Sequence, residues 1–124
     1  MPGIPHAHPE QFVQSAAVLH VPDVLAAAAF YRDALGFTFD FGDAYYAVVW
    51  RENAALHFSK GQRAPQDIHL FFWIRNVDAY YEEIRGRDLD IETEPTTQPY
   101  GIREFSLVDC NGVRLVFGQD DELI

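Results

Sequence analysis

Two stretches of the chain repeat one pattern of apolar and polar positions, 53 residues apart. In "AAVLHVPDVLAAAAFYRDALG" (16–36) an apolar strand runs into Asp23, and in "HLFFWIRNVDAYYEEIRG" (69–86) into Asn76. Both residues are good helix N-caps, because a short side-chain oxygen reaches the orphan N–H groups of a first turn. Beyond each cap the apolar positions recur at i, i+3, i+4 and i+7: Val24, Ala27, Ala28 and Tyr31, then Val77, Tyr80, Tyr81 and Ile84. That spacing predicts one helix per copy with one buried stripe, and Gly36 and Gly86 offer C-terminal stops.

Each helix is followed by segments rich in β-branched and aromatic residues, "GFTFDF", "AYYAVVW" and "AALHFS" in the first half and "LDIET", "IREFSLV" and "GVRLVFG" in the second. Both halves therefore read as β-α-β-β-β. The last strands align as well, "ENAALHFS" on "NGVRLVFG", at a displacement of 59 residues, six more than between the caps. The polar stretch "TEPTTQPYG" (93–101) is the natural loop for the extra residues. The fold class expected is α+β: two tandem βαβββ modules forming a half-open mixed sheet cup.

Period-two alternation divides each strand into two faces. One is aliphatic or aromatic throughout: Ala17, Leu19, Val21, Leu56, Phe58, Leu70, Phe72, Ile74, Val113, Leu115 and Phe117. It belongs under the helices. The other carries Ala16, Val18, His20, Ala55, His57, Ser59, His69, Phe71, Trp73, Arg114, Val116 and Gly118, a mixture suited to a ligand-lined concave surface.

With 124 residues, 48% hydrophobic and 15% aromatic, the chain can bury one core and has little room for a second. The boundaries expected are an N-terminal arm at 1–13, a single domain at 14–118 with modules at about 14–60 and 67–118, and an acidic tail at 119–124. A net charge of −10 argues against a nucleic-acid backbone or an anionic membrane as partner and favours cationic or neutral ligands, with ordinary solubility charge as the other explanation. The lone Cys110 excludes an internal disulfide, and no apolar run approaches the ~20 residues of a membrane span. Cytoplasmic location is the expectation. His6 and His8, in a Pro-rich arm without secretory features, read as incidental.

The paired modules, "FYRDALGF" after an Asp-capped helix and a last strand after "DCNG" resemble the vicinal oxygen chelate superfamily of glyoxalases, extradiol dioxygenases and antibiotic-resistance proteins. The likeness covers roughly Ser15 to Gly118. Within that group, "GFTFDF", "ALHFS", "FFWIRNVDAYY" and "QPYGIREFSLVDCNG" resemble bleomycin-resistance proteins, whose motif has a tryptophan where Tyr100 stands and lacks Ile102. The resemblance implies a small, acidic, metal-free homodimer that sequesters a planar, cationic drug in clefts between subunits.

Catalytic relatives carry metal ligands at four positions that fall here on Ala16, His57, His69 and Val116. Two of these cannot bind metal, whereas a catalytic divalent ion commonly needs three protein ligands and often a carboxylate. His20 lies about 13 Å along the strand from Ala16, too far to complete the same shell. A two-histidine metal site completed by water or by a second subunit remains the alternative, with glyoxalase- or dioxygenase-like chemistry on His57 and His69. A catalytically silent regulatory subunit is the third reading. No catalytic residue is assigned: Ser59 and Ser106 lack a nucleophile elbow, and the setting of Cys110 beside Asp109 raises its pKa.

The ligand-binding residues expected are Asp40, Phe41, Ser59, His69, Phe71, Trp73 and Tyr100. By the resemblance, Phe41 and Tyr100 sandwich a planar group, while Phe71 and Trp73 form the floor. Asp40 and Asp43 add attraction for a cation at the rim, and Ser59, His57 and His69 orient polar groups. Arg114 is expected to pair with Glu104 on the neighbouring strand.

Overall fold

Both caps form as the sequence requires. The computed structural model describes residues 11–62 and 68–120. Helix α1 runs Val24–Asp33, with the Asp23 carboxylate accepting from the Ala26 N–H at 3.0 Å; α2 runs Val77–Ile84, with the Asn76 side chain accepting from the Ala79 N–H at 3.0 Å. Val24, Ala27, Ala28 and Tyr31 are buried, as are Val77, Tyr80 and Ile84, and Tyr81 is half-buried. Gly36 has the left-handed φ of +76° that suits a chain leaving a helix. Gly86 lacks it: α2 ends instead in a right-handed turn, with the Arg85 N–H on the Tyr81 carbonyl and the Arg87 N–H on the Ile84 carbonyl.

The eight strands are β1 Ala17–Val21, β2 Thr38–Gly42, β3 Tyr46–Arg51, β4 Ala54–Lys60, β5 His69–Trp73, β6 Asp90–Thr97, β7 Arg103–Val108 and β8 Arg114–Gln119. They form two separate four-stranded sheets of matching order, β1-β4-β3-β2 and β5-β8-β7-β6. Each sheet is mixed, since β1 runs parallel to β4 and β5 to β8 while the other pairs are antiparallel. Val18 lies opposite His57, and Phe71 opposite Val116. The register thus repeats with the same two displacements that align the sequence.

Two details depart from the pattern. The segment 93–97, expected in a loop, belongs to β6, which has eight residues where β2 has five. β6 pairs only with β7, and Pro95 falls at a register irregularity between Thr93 and Thr96, where its missing N–H breaks no ladder. The second departure is at the other end: β8 takes in Gln119, whose side-chain oxygen accepts from the Val77 N–H at 2.8 Å. The first residue beyond the expected boundary therefore helps to cap α2.

One core serves both modules. Leu19, Val21, Leu56 and Phe58 join Phe105, Leu107, Leu115 and Phe117 and the two helix stripes in a single buried cluster. The modules also share a polar junction. The Tyr31 hydroxyl donates to the buried Asp109 carboxylate at 2.7 Å, and the Tyr80 hydroxyl to the Leu35 carbonyl at 2.7 Å. Arg87 donates to the Ala34 carbonyl at 2.9 Å, and Arg51 reaches both Glu83 oxygens at 2.8 and 3.0 Å and the Leu35 carbonyl at 3.2 Å. Carbonyls left over at the end of α1 are thereby satisfied by side chains from beyond the helix. Every residue of this junction lies on a helix, on the core side of a sheet or in an adjoining turn. The concave faces are left for something else. Among the described residues, no helix is long and apolar enough to cross a membrane.

Candidate functional site

Residues opposite each other in a ladder project to the same side, so the register fixes which side chains share a face. On the first sheet β3 contributes Tyr46, Val48 and Trp50, opposite Ser59, His57 and Ala55 of β4. Val18 and His20 of β1 lie opposite His57 and Ser59 from the other side. The Tyr46 hydroxyl sits 2.6 Å from His57 Nδ1, and the rings meet edge to face at 5.5 Å. In β2 a bulge at Asp40 resets the alternation: Phe39 faces the core opposite Val49, while Phe41 stands opposite Val48 on the concave side, 58% exposed. Without that bulge both phenylalanines would share one face. Asp43 accepts from the Tyr45 and Tyr46 N–H groups at 2.8 and 3.1 Å, so its carboxylate closes the β2–β3 turn.

The second sheet carries a cavity of about 520 Å³ lined by His69, Glu92, Glu104, Ser106, Arg114 and Val116 among others, all from the second module. Arg114 donates Nε and Nη2 to the two Glu92 oxygens at 2.7 and 2.9 Å, and this forked contact holds the Glu92 carboxyl below the usual carboxylate range. Arg114 Nη1 lies 3.4 Å from His69 Nε2. A guanidinium only donates, so in this long contact the imidazole nitrogen is on the accepting side. Beside the cavity Phe71 and Trp73 are in contact, ring centroids 4.6 Å apart and planes tilted by 52°. Phe71 lies directly over Gly118, where even a methyl group would collide with the ring. Ile102, the extra residue of the motif, is buried and packs next to Gly118.

The expected Arg114–Glu104 pair does not form. The β7–β8 register puts Arg114 opposite Val108 and Glu104 opposite Gly118, four residues along the hairpin, about 13 Å apart. Glu104 instead accepts the hydroxyl of Tyr100, which is 64% exposed. The Glu104 carboxylate holds the Tyr100 phenol above its ordinary pKa.

Of the residues singled out from sequence, Phe71 is brought onto Trp73, and His69 onto Arg114. Ser59 shares the first concave face with His57, and Asp40 and Phe41 lie on the edge strand of that sheet. Phe41 and Tyr100 form no ring contact among the described residues, and His57 is not part of the cavity that holds His69. Tyr46, Trp50 and Glu92 were not foreseen. Alternation of Tyr46, Val48 and Trp50 with Ala47 and Val49 was the available signal for the first two; Glu92 becomes visible only once β6 is laid beside β7 and β8.

The metal positions of the superfamily are not met by suitable donors here. Ala16 and Val116 are apolar, His57 Nδ1 is engaged by Tyr46, and His69 Nε2 faces a guanidinium. Among the described residues no three His, Cys, Asp or Glu side chains are grouped to hold a metal ion. Within one chain the set does not fit a catalytic divalent cation. Cys110 fits a nucleophile no better, as partial burial and then the neighbouring Asp109 push its thiol up to about 11.

The family model for glyoxalase superfamily proteins matches residues 8–122. A comparison with curated proteins finds no match. Among solved structures, the bleomycin-binding protein of bleomycin-producing Streptomyces verticillus, complexed with copper(II)-bleomycin, is 30% identical with a TM-score of 0.73, over 86% of this chain and 95% of that one. The bleomycin resistance determinant encoded on transposon Tn5 is 24% identical with a TM-score of 0.75, over 87% and 98%. A glyoxalase-related enzyme from Clostridium phytofermentans is 21% identical with a TM-score of 0.72, over 86% and 94%. Duplicated βαβββ modules, a shared core with one face of each sheet turned away from it and a family match over nearly the whole length lead to one conclusion: the chain belongs to the glyoxalase superfamily, the vicinal oxygen chelate fold.

Proposed function

We propose that this protein is a cytoplasmic, metal-free binding protein that sequesters a planar, cationic small molecule without altering it. The ligand sits in an aromatic cleft that two copies of the chain complete between them. One observation carries this reading: the concave faces hold large apolar side chains in the open, Val18 (49% exposed) and Phe41 on the first sheet, Phe71 (45% exposed) on the second, while the core and junction are spent holding the modules together on their other sides. Such a surface calls for a partner. A second copy related by twofold symmetry brings a first-module face against a second-module face twice over, giving two equivalent clefts.

In each cleft Phe71 and Trp73 form the floor, with Phe41 and Tyr100 flanking a flat ring, and Asp40, Ser59 and His69 orient its polar edges. Rings that cover a desolvated cation contribute about 0.5–2 kcal/mol each, a part of the roughly 8 kcal/mol that micromolar binding needs, the rest coming from apolar burial in a preformed cleft. The bleomycin-binding relatives support this ligand class, and the donor set at the four metal positions argues against the alternative, a divalent-metal enzyme working through His57 and His69.

The test is calorimetry with metal-free bleomycin alongside sedimentation of the free protein. A dimer binding two ligands is expected, with affinity lowered about threefold to thirtyfold by Trp73→Ala or Tyr100→Ala and unchanged by Glu82→Ala on the exposed side of α2. A monomer, or equal effects of all three substitutions, would rule the cleft out.

A further inference from the structure

A cleft that takes a cation needs a carboxylate to receive it, and the second-module cavity contains two. Glu92 is already neutralised by the forked contact from Arg114. Glu104 is different. It is half-buried on β7, lines the same cavity, and forms no ion pair with any described basic residue; the hydrogen bond it receives comes from a neutral phenol. Arg103 next to it is turned to Asp78, with contacts of 2.8 and 2.9 Å.

The donor on Glu104 is also easy to remove. Tyr100 stands at the tip of a turn closed by two backbone bonds, Gln98 N–H to the Ile102 carbonyl and Gly101 N–H to the Gln98 carbonyl, both at 2.9 Å. The following Gly101 has a left-handed φ of +92°, and its outer side faces open space. The tyrosine ring is mostly in solvent, so its position depends on the hydroxyl contact rather than on packing.

We propose that Glu104 is the cation-receiving residue of the cleft, and that the Tyr100 hydroxyl occupies it until an ammonium or guanidinium N–H of the ligand takes its place. This assignment rests on the sequestration reading above. The exchange makes and breaks only hydrogen bonds. A charged donor replaces a neutral one on the same carboxylate, and the released Tyr100 ring is free to lie on the ligand's planar group. Tyrosine then acts as the latch of the empty site and as a wall of the filled one, and a ligand lacking the cation at that point gains nothing from opening it.

The experiment compares metal-free bleomycin bearing its cationic terminal amine with the same compound hydrolysed there to a carboxylate, by calorimetry on the full chain. Wild type should prefer the cationic form. Glu104→Gln keeps the side-chain shape and an acceptor for Tyr100; it should weaken the cationic form about tenfold and leave the carboxylate form unchanged or tighter, collapsing the preference. Tyr100→Phe keeps the ring and removes the competing donor, so it should bind the cationic form several-fold more tightly than wild type, by about threefold. Equal weakening of both forms by Glu104→Gln, or no effect on either, overturns the assignment while leaving sequestration in place. If wild type binds neither form, the sequestration reading falls and this assignment falls with it.

Discussion

Gly118 is the narrowest point of the structural account, and Gly118→Ala tests it. An added Cβ would overlap Phe71 Cζ, lie 2.8 Å from Phe71 Cε1 and 3.2 Å from Ile102 Cγ2. The Gly118 backbone itself is not left-handed, so alanine brings no backbone strain, and in a strand it should gain about 0.5–1 kcal/mol from a less flexible unfolded chain. Against that, Phe71 must swing off Gly118, forfeiting its contact with Trp73, worth about 0.5–1.5 kcal/mol, and Ile102 must yield by a few tenths of an ångström, within an overpacking cost of about 1–3 kcal/mol. Phe71 is half in solvent and can move, which puts the net loss near 1 kcal/mol, a fall of about 3–5 °C in melting temperature. Urea denaturation and calorimetry should be run on Gly118→Ala, Phe71→Ala and the double variant. In the Phe71→Ala background the alanine should be neutral or stabilising, a coupling of about 1–2 kcal/mol between the two sites. Ligand affinity should fall about tenfold in Gly118→Ala because the cleft floor is displaced. An alanine cost unchanged by the removal of Phe71 would refute the placement of that ring.

The buried hydroxyl joining the modules should be worth more than its size suggests. Tyr31→Phe leaves Asp109 with only its backbone donors, Asn111 and Val113 at 2.8 and 2.9 Å, and should cost about 1–3 kcal/mol in urea unfolding. Arg51→Ala removes the Glu83 fork, the Leu35 contact and the cation over the Tyr80 ring, 5.0 Å from its centroid, for about 1–2 kcal/mol together. That deficit should depend on pH. Hydrogen bonds from Arg51 hold the Glu83 carboxyl below its unfolded value, so the ion-pair contribution is complete at neutral pH and is lost as pH falls through the lowered folded pKa. The gap between wild type and variant should therefore narrow in acid, leaving the Leu35 and Tyr80 contacts as its remainder. Cys110, half-ionised only near pH 11, should react slowly with thiol reagents at pH 8; fast labelling there would show that its thiolate is stabilised.

Where the sequence could be read, it was read through periodicity. The two helix stripes and the aliphatic strand faces repeat along the chain, and burial of Tyr31, Ile84, Leu56 and Leu115 follows from spacing alone. The repeat itself gave the register, with Val18 against His57 and Phe71 against Val116. The site was less legible because its contacts cross strands that are not neighbours in sequence. Arg114 finds Glu92 on β6, 22 residues away, and not Glu104 on the adjoining strand, since nothing local states how far a hairpin is displaced. The bulge at Asp40, which turns Phe41 toward the concave side, has no marker in "GFTFDFG" beyond the final glycine. Edge position explains why "EPTT" could enter a strand despite its proline.

The central claim is that the fold has kept its concave surfaces for holding a ligand and given up the donors for a reactive ion. Calorimetric titration of chelator-stripped protein with a divalent metal salt alone, alongside titration with metal-free bleomycin in the presence of a chelator, tests it most directly. Binding of one ligand per chain without metal, no stoichiometric uptake of the metal by the protein and the ligand recovered intact are the expected result. Tight stoichiometric metal binding by the protein alone, or a ligand recovered chemically changed, would contradict it.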